Sequence, residues 1–371
     1  MPRTQERSGE ELATVAIVGG GYGGAAAAKA LDDIADVILI EPKDAFVHNI
    51  AALRGLIDPE WTDRVFYPYT RLLSRGKVIH DRAVRIDADA VTLGSGERIA
   101  ADYIVLASGS TSPFPAKMDV NDSTIAKSKI ANTRAELIKA DWVLLLGAGP
   151  VGLELSGEIK AAWPDKAVTV IDPIDDVLSG QYSDAMRKEL RRQLEELGVN
   201  LLLGSRLTAE PPTPRGVAST FTAVTTSGDE ITADIWFRCY GIVPNSDYLS
   251  EELASARLAN GHLEVTPELR LAGQQSVFAI GDLTAIPEAK RGGAASRHAE
   301  VVADNIRALI EGRDDLTAYQ PAPPLILLPL GPTGGVSQLP GQDDFAGPEM
   351  TAQIKGQDLF VGRYAELFNL S

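Results

Sequence analysis

The chain has 371 residues, 44% of them hydrophobic and 23% charged, which is typical of a soluble globular protein with two or three domains. Its 51 acidic and 35 basic residues give a formal net charge of −16, which would repel nucleic-acid phosphates, so we predict no nucleic-acid partner. The sequence contains no apolar run of 18 residues and therefore predicts no transmembrane segment and a cytoplasmic location.

The first motif follows residues 1–13, a polar segment that we predict to be a disordered leader. Residues 15–18 predict a strand buried on both faces, and it leads directly into Gly19-x-Gly21-x-x-Gly24 and a helix rich in alanine. The N–H groups and positive dipole end of that helix would face an anion at the glycines. The next strand ends at Glu41, the position at which an acid accepts from a ribose hydroxyl. The stretch predicts a dinucleotide site, and the alternative is a tight turn that binds nothing.

A short helical pattern then runs from His48 to Arg54, and Arg54 could contact a phosphate or be a solvated arginine. Strands are predicted at residues 78–79, 84–86, 91–93 and 103–107. The last of them runs into Ser108 and Gly109, whose small size permits close approach of the backbone to a ligand. Residues 112 to about 140 are mixed polar and helical in pattern and are interpreted as a linker to the next unit.

The second motif repeats the first about 128 residues later. Residues 142–146 predict a strand, and Gly147-x-Gly149-x-x-Gly152 opens a helix that contains Glu154. The strand that follows ends at Asp172. Two complete fingerprints predict two separate dinucleotide sites. Because the carboxylate of Asp172 would repel a 2′-phosphate but accept from a 2′-hydroxyl, we expect the second site to prefer NADH over NADPH.

The single cysteine, Cys239, excludes an internal disulfide and a Cys-x-x-Cys redox pair. It lies in the apolar run 235–240, and we interpret it as a buried structural thiol. No Cys/His spacing typical of a metal site is found, so we predict no metal. The other predicted elements are a helix at 184–197, a strand at 199–203, a hairpin of residues 221–225 and 230–236, a strand at 277–280, a helix at 294–310 and an apolar segment at 325–330.

Two facing dinucleotide sites are what hydride transfer from a nicotinamide to a flavin requires, and that step needs no protein acid or base. The order of the two glycine motifs, of Ser108-Gly109 and of Gly281-Asp282 resembles the two-dinucleotide flavoproteins, which include glutathione reductase, type II NADH dehydrogenases and apoptosis-inducing factors. Within that group, the sequence is most similar to the apoptosis-inducing-factor-like NAD(P)H:quinone oxidoreductases of the ferroptosis suppressor type. The closer likeness rests on residues 48–54, 109–115, 158–160 and 358–361.

The resemblance implies an α/β fold with two Rossmann-like domains of the glutathione-reductase type and a small C-terminal α+β domain. It assigns residues 14–111 and 255–318 to a discontinuous FAD-binding domain. It assigns residues 112–254 to the NAD(H)-binding domain and residues 319–371 to the C-terminal domain.

The resemblance also implies roles for individual residues. Contacts to FAD are implied for Gly19, Gly21, Gly24, Glu41, His48, Arg54, Ser108, Gly109, Gly281 and Asp282. Contacts to the nicotinamide cofactor are implied for Gly147, Gly149, Gly152 and Asp172. Glu154 is implied near the nicotinamide, and Lys355 and Phe360 are implied on the quinone side of the flavin. Considered without the resemblance, Glu154 and Lys355 could be solvated, Phe360 and His48 could belong to the core, and Asp282 could be a turn or N-cap acid.

The sequence departs from the family pattern at two places, and the family's properties are not carried over to this chain there. Ser108 stands where the family has threonine, and the sequence begins Met1-Pro2, so we do not expect myristoylation. The tail residues Phe360, Tyr364, Leu367 and Phe368 follow helical spacing. They could contact the inner face of a membrane peripherally, contact a partner subunit such as that of a homodimer, or pack on the core of the chain, and we favour packing on the core.

We therefore predict an FAD-dependent oxidoreductase that takes hydride from NADH and passes electrons to a quinone or another small acceptor by a ping-pong mechanism. One alternative is a reductase of a redox protein such as a ferredoxin, although an acidic surface does not favour an acidic partner. Another is an NADH-sensing flavoprotein that signals through a binding partner.

Overall fold

The computed structural model describes residues 12–340 and 344–370. The predicted disordered leader lies outside the described residues, apart from its last two positions. The strands β1 to β20 are, in chain order, Thr14–Val18, Asp36–Ile40, Ala45–Val47, Phe66–Pro68, Lys77–Ile79, Ala83–Asp87, Ala90–Leu93, Arg98–Ala100, Tyr103–Leu106, Ser110–Thr111, Trp142–Leu146, Ala167–Asp172, Val199–Leu203, Phe221–Val224, Glu230–Ala233, Ile235–Arg238, Val243–Pro244, Val277–Ala279, Ile326–Leu330 and Gly334–Gln338. The helices α1 to α8 are Tyr22–Leu31, Asn49–Ile57, Ser123–Lys139, Pro150–Ala162, Asp184–Glu196, Gly292–Ile310, Pro348–Thr351 and Val361–Leu367.

The first sheet contains five parallel strands in the order β18-β9-β1-β2-β5. Its central strand β1 is almost completely buried from Val15 to Val18, as expected for an apolar strand covered on both faces. Helices α1 and α6 pack together, and the small side chains of α1 allow their close approach. The last strand of this sheet, β18, follows all four strands of the second sheet in the sequence.

The second sheet contains four parallel strands in the order β13-β12-β11-β16. The hairpin predicted at residues 221–236 is shorter than expected, because its second strand ends at Ala233. Between this strand and the next, Asp234 accepts a hydrogen bond from the backbone N–H of Trp142 at 3.0 Å. The following residues form β16, whose buried Ile235 and Phe237 lie beside β11. Two parallel sheets flanked by helices confirm the predicted α/β fold of two dinucleotide-binding units.

The C-terminal segment packs against both units. Its hairpin β19–β20 lies against α4 and α5 of the second unit, with Leu328 and Val336 fully buried. Helix α8 lies against the first unit, where Tyr364 and Phe368 are 5% and 0% exposed and contact Phe46. For Tyr364 and Phe368, packing on the core is therefore confirmed. Among the residues that the structure describes, no helix is both long enough and apolar enough to cross a membrane.

Candidate functional site

The two glycine loops have the same local structure. The backbone N–H of Gly19 donates to Ile40 O at 2.8 Å, and that of Gly147 donates to Ile171 O at 2.8 Å. A Cβ atom at Gly24 would lie 1.8 Å from Gly19 O, and one at Gly152 would lie 2.0 Å from Gly147 O. In each unit, glycine is therefore required for the helix to pack against the preceding loop.

The middle glycine of each loop has a different explanation. Gly21 and Gly149 have ordinary φ angles of −69° and −81°, and no described atom outside their immediate neighbours lies within 4 Å of a Cβ built there. They are the N-caps of α1 and α4, and neither helix start has a side-chain cap. The fold does not demand glycine at these positions, but an anion approaching the uncapped N–H groups would. This geometry fits the pyrophosphate of a dinucleotide in both units.

The two acids also occupy matching positions. Glu41 accepts from the backbone N–H of Gly20 at 2.7 Å and of Lys43 at 3.0 Å. Asp172 accepts from the backbone N–H of Ala148 at 2.7 Å and of Ile174 at 2.9 Å. Each carboxylate oxygen keeps a further lone pair, so both acids can anchor the loop and still accept from a ribose hydroxyl.

A cleft of about 1300 Å³ lies between the two units and the C-terminal segment. Predicted site residues that line it are Gly19, Gly21, Glu41, Ser108, Gly109, Glu154, Gly281, Asp282, Lys355 and Phe360. Gly24 and the predicted nicotinamide-cofactor contacts Gly147, Gly149, Gly152 and Asp172 are not among its lining residues, and those that the second unit contributes include Pro150, Val151, Glu154 and residues 179–182. Among the described lining residues, seven are Lys or Arg and five are Asp or Glu. The cleft is therefore locally more basic than a chain with a net charge of −16 would suggest, which favours an anionic ligand.

The three residues implied at the reaction centre meet in this cleft. Lys355 Nζ donates to Glu154 Oε1 at 2.7 Å and to Leu327 O at 3.0 Å. The side chains of Lys355 and Glu154 are only 10% and 16% exposed, so neither is the freely solvated residue of the alternative interpretation. Phe360 adopts a left-handed backbone conformation with φ of +61° at the start of α8 and lines the cleft from the C-terminal side. The roles of these residues remain predictions.

Asp282 is held in the cleft by two donors. Its Oδ2 accepts from Ser110 Oγ at 2.6 Å and from Lys117 Nζ at 2.9 Å. Burial opposes ionisation of this carboxyl, but the charge of Lys117 and the hydroxyl of Ser110 outweigh it and lower its pKa. Nearby, the hydroxyl of Ser108 donates to Asn245 O at 2.8 Å.

The structure does not bring Arg54 to the cleft. Its Nε and one terminal nitrogen form a bidentate ion pair with Glu158 at 2.7 to 3.1 Å, and the side chains are 4% and 8% exposed. The guanidinium also lies 4.7 Å from the ring centre of Trp61. Both predicted alternatives for Arg54 are therefore wrong in this structure: the arginine neither faces a phosphate site in the cleft nor is solvated, and it pairs with Glu158.

His48 is likewise enclosed away from the cleft lining. Its side chain is fully buried, with Nδ1 at 3.0 Å from Tyr22 Oη and Nε2 at 2.7 Å from Leu359 O. The structure therefore places His48 as a core histidine that joins the first unit to the C-terminal segment. Burial is the main cause that lowers its pKa to about 4.

This low pKa predicts a pH dependence of stability. The unfolded chain binds a proton at His48 below pH 6.5, whereas the folded chain does so only near pH 4, so stability is complete above pH 6.5 and is lost as the pH falls through this window. We expect protonation of His48 in the unfolded chain to lower the free energy of unfolding by about 2 kcal/mol between about pH 7.5 and about pH 5. Urea unfolding of His48→Gln should show a shallower pH dependence than that of the wild type.

The exposed His80 supplies the control for this experiment, since His80→Gln removes an imidazole outside the Tyr22–Leu359 cluster. Parallel pH profiles for the wild type and His48→Gln would contradict the prediction.

Several residues of the cleft are not predicted from the sequence motifs. Lys117 follows the segment 109–115 by only two positions, and extending that comparison would have reached it. Asn49 lines the cleft, and its buried Oδ1 has no hydrogen-bond partner among the described residues, so a bound donor would satisfy it. Helix α6 begins at Gly292, two residues before its predicted start, and its first turn also lines the cleft. These features add to the fit for a nucleotide cofactor.

Cys239 is buried, as predicted, at 9% exposure. Burial raises the pKa of its thiol to about 12. The thiol is therefore protonated and structural at neutral pH.

A fold of two parallel sheets, each with a strand, glycine loop, helix and terminal acid, beside one shared cleft defines a two-dinucleotide-domain oxidoreductase. The family model described as pyridine nucleotide-disulphide oxidoreductase matches residues 13–301, and the chain belongs to this family. Membership implies FAD and NAD(P)H as cofactors.

Relatives from other organisms match almost the whole chain. Apoptosis-inducing factor homolog B of Dictyostelium discoideum is 30% identical over 97% of this chain and 97% of its own length. Ferroptosis suppressor protein 1 of Mus musculus is 31% identical over 94% of this chain and 93% of its own length. The fold is similar to that of the sulfide:quinone oxidoreductase of Aquifex aeolicus, with a TM-score of 0.74 and 19% identity over 97% of this chain and 92% of that one. It is also similar to NDH2 of Plasmodium falciparum in complex with NADH, with a TM-score of 0.72 and 12% identity over 96% of this chain and 94% of that one.

Proposed function

We propose that the protein is an FAD-dependent NADH oxidoreductase that passes electrons to a quinone in a ping-pong cycle. The observation that carries this proposal is the convergence of Gly19–Gly23, Glu154, Lys355 and Phe360 on one cleft. When bound, a flavin accepts hydride from NADH and returns electrons to a second substrate. Such a transfer requires two nucleotide sites that face a common space, and this cleft is lined from both dinucleotide units.

Helix α6 supports negative charge in the cleft. Its N-cap, Arg291, provides no side-chain cap, and residues Gly292 and Gly293 at its start line the cleft. Uncapped N–H groups and the positive end of the helix dipole favour an anion at this point. We infer that this end of α6 stabilises the charge that a reduced cofactor carries.

Lys355 has donor capacity that its described partners do not use. An ammonium group has three N–H donors, and Glu154 and Leu327 O account for two of them. We propose that the third donates to a carbonyl oxygen of the acceptor, while Glu154 holds the ammonium in place. The partly exposed ring of Phe360 offers a flat apolar surface beside it for a quinone ring.

A quinone acceptor is supported by the resemblance of residues 48–54, 109–115, 158–160 and 358–361 to apoptosis-inducing-factor-like quinone oxidoreductases. One solved structure of similar fold is a sulfide:quinone oxidoreductase. Tyr364 and Phe368 are buried and are not free to enter a lipid layer. We therefore propose a cytoplasmic protein whose contact with the inner face of a membrane, where it occurs, is peripheral and made by the surface around Phe360 and Arg363.

The second site should prefer NADH. Asp172 is anchored by Ala148 and Ile174, so its carboxylate is fixed near the place where an adenosine ribose would lie. We expect kcat/KM for NADH to exceed that for NADPH about tenfold or more, and Asp172→Asn to reduce this ratio to within a few-fold of unity. Steady-state kinetics with both nucleotides measure the ratio.

Asp165→Asn is the matched control, because Asp165 is exposed and precedes the opposite end of the same strand. It makes the same change in net charge and should leave the ratio unaltered. A tenfold preference of the wild type for NADPH would refute the NADH assignment.

Anaerobic stopped-flow of the purified yellow protein tests the proposed function. Mixing with NADH should bleach the flavin rapidly, and subsequent mixing with a short-chain ubiquinone or menaquinone should restore its absorbance. If NADH bleaches the flavin but quinones re-oxidise it no faster than buffer does, the FAD and NADH assignments stand and the quinone assignment is wrong. In that case, redox proteins and signalling partners become the acceptors to test.

A further inference from the structure

A chain of buried and partly buried hydrogen bonds runs from the segment after α6 to the turn that carries Asp282. Tyr319 Oη donates to Glu288 Oε2 at 2.9 Å, and His298 Nε2 lies 2.6 Å from Glu288 Oε1. At the other side of the imidazole, the backbone N–H of Gly281 donates to His298 Nδ1 at 2.9 Å. His298 is 1% exposed, and Tyr319 packs edge-on against it at 4.3 Å between ring centres.

The donors and acceptors fix the form of the imidazole. Because Nδ1 accepts from an N–H group, it carries no proton, and the single proton of the neutral ring must be on Nε2. Glu288 is the acceptor for that proton. Burial opposes ionisation of Glu288, but the hydrogen bonds from His298 and Tyr319 outweigh it and lower its pKa, which keeps it an acceptor.

Gly281 and Glu288 both line the cleft, and Gly281 is where this chain reaches the turn that carries Asp282. Its φ of +68° is a left-handed conformation, and its N–H has His298 as its only acceptor among the described residues. The next residue, Asp282, faces the cleft and is held by Ser110 and Lys117. The turn is thus fixed on one side by side chains within the cleft and on the other by the imidazole behind it.

We propose that His298 is a positioning residue for the flavin cofactor: it holds the Gly281–Asp282 turn through Gly281 N–H, and Glu288 holds His298 in the required tautomer. This inference rests on the proposed binding of FAD in the cleft. His298 does not touch the cofactor, since it is not part of the cleft lining. Its effect is transmitted through one backbone N–H group, and loss of that acceptor leaves a buried donor unsatisfied.

Two amide substitutions separate the functions of the two ring nitrogens. Asn places its carbonyl oxygen near the position of Nδ1 and can still accept from Gly281, whereas Gln places its amide near Nε2 and can reach only Glu288. The readout is the dissociation constant of FAD for the apoprotein, measured by quenching of flavin fluorescence. We expect His298→Asn to bind FAD within about threefold of the wild type and His298→Gln to bind about tenfold more weakly.

A role limited to core packing predicts a different order, in which the larger Gln is tolerated at least as well as the smaller Asn. Equal weakening by both substitutions, or weaker binding by Asn, would overturn the inference. Tyr319→Phe provides a second variant that leaves the imidazole in place, and we expect it to weaken FAD binding less than His298→Gln does. Far-UV circular dichroism of each apoprotein checks that it is folded.

The same experiment distinguishes the two levels of the proposal. A wild-type protein that binds no FAD would overturn both the proposed function and this inference. Tight wild-type binding with no difference between the Asn and Gln variants would overturn this inference alone, because FAD affinity does not depend on which acceptor re-oxidises the flavin.

Discussion

Replacing Gly21 with valine is expected to weaken FAD binding about 100-fold or more, equivalent to about 2.7 kcal/mol, while the protein remains folded. Replacing Gly149 with valine is expected to leave FAD bound and to weaken NADH binding to a similar extent. Both glycines have ordinary backbone angles and open surroundings, so the fold itself should accommodate a side chain. The added methyl groups would occupy the space in which a pyrophosphate meets the N–H groups of a helix start.

The measurements follow from the two sites. Flavin fluorescence quenching reports FAD binding by Gly21→Val, and the dependence of flavin bleaching on NADH concentration reports the second site in Gly149→Val. Loss of FAD from Gly149→Val, or normal bleaching of that variant by low NADH, would contradict the assignment of the two loops.

Gly347 offers a matched control for both substitutions. It is also a helix N-cap, with φ of −76° and no described atom outside its immediate neighbours within 4 Å of a Cβ, but it follows no strand and opens no glycine triplet, unlike Gly21 and Gly149. Gly347→Val should therefore retain both cofactors. Gly24→Ala is the opposite control, because its Cβ would lie 1.8 Å from Gly19 O and should disrupt the fold rather than the site alone.

Replacing Arg54 with methionine is expected to destabilise the protein by about 3–5 kcal/mol, because it leaves Glu158 buried without its bidentate partner. Arg54 belongs to α2 and Glu158 to α4, so the ion pair joins the two dinucleotide units. Burial raises the pKa of Glu158 even with the arginine present. In the variant, the carboxyl can relieve its isolation by taking up a proton, so the loss of stability should be smaller at about pH 6 than at about pH 8.

Urea unfolding followed by circular dichroism measures this loss. Arg192→Met is the control, since Arg192 pairs with Glu196 on an exposed helix face and its removal should leave the unfolding midpoint almost unchanged. The double variant Arg54→Met/Glu158→Leu removes both charges and should recover most of the stability. Equal midpoints for Arg54→Met and the wild type would show that the pair does not hold the two units together.

The parts of the site that could be predicted from sequence are those encoded within one short stretch. The strand, the glycine triplet, the helix and the terminal acid Glu41 or Asp172 follow one another within about thirty residues, and neighbouring parallel strands bring them together. The convergence of Glu154, Lys355 and Phe360 was available only from resemblance, because residues of the tail meet the second unit through tertiary packing alone.

The residues whose placement differed from expectation depend on partners far away in sequence. Arg54 pairs with Glu158, and His48 forms a hydrogen bond with Leu359 O. Neither local spacing nor composition identifies such partners. From the local sequence alone, a basic residue at the end of a helix and a histidine before a helix are as compatible with contacts to a ligand as with contacts inside the core. The pairing of distant charges inside a core is decided by packing, which the pattern of a single segment does not contain.

The position of β18 beside β9 has a consequence for how the chain is made. The first sheet and the α1–α6 contact need residues that emerge from the ribosome only after the whole second sheet. The middle of the nascent chain can form its four-stranded sheet while its beginning still exposes the edge of β9 and the apolar side of α1. We therefore expect the second sheet to form before the first sheet is complete. The N-terminal strands β1, β2, β5 and β9 are then the part that chaperones would have to protect during synthesis.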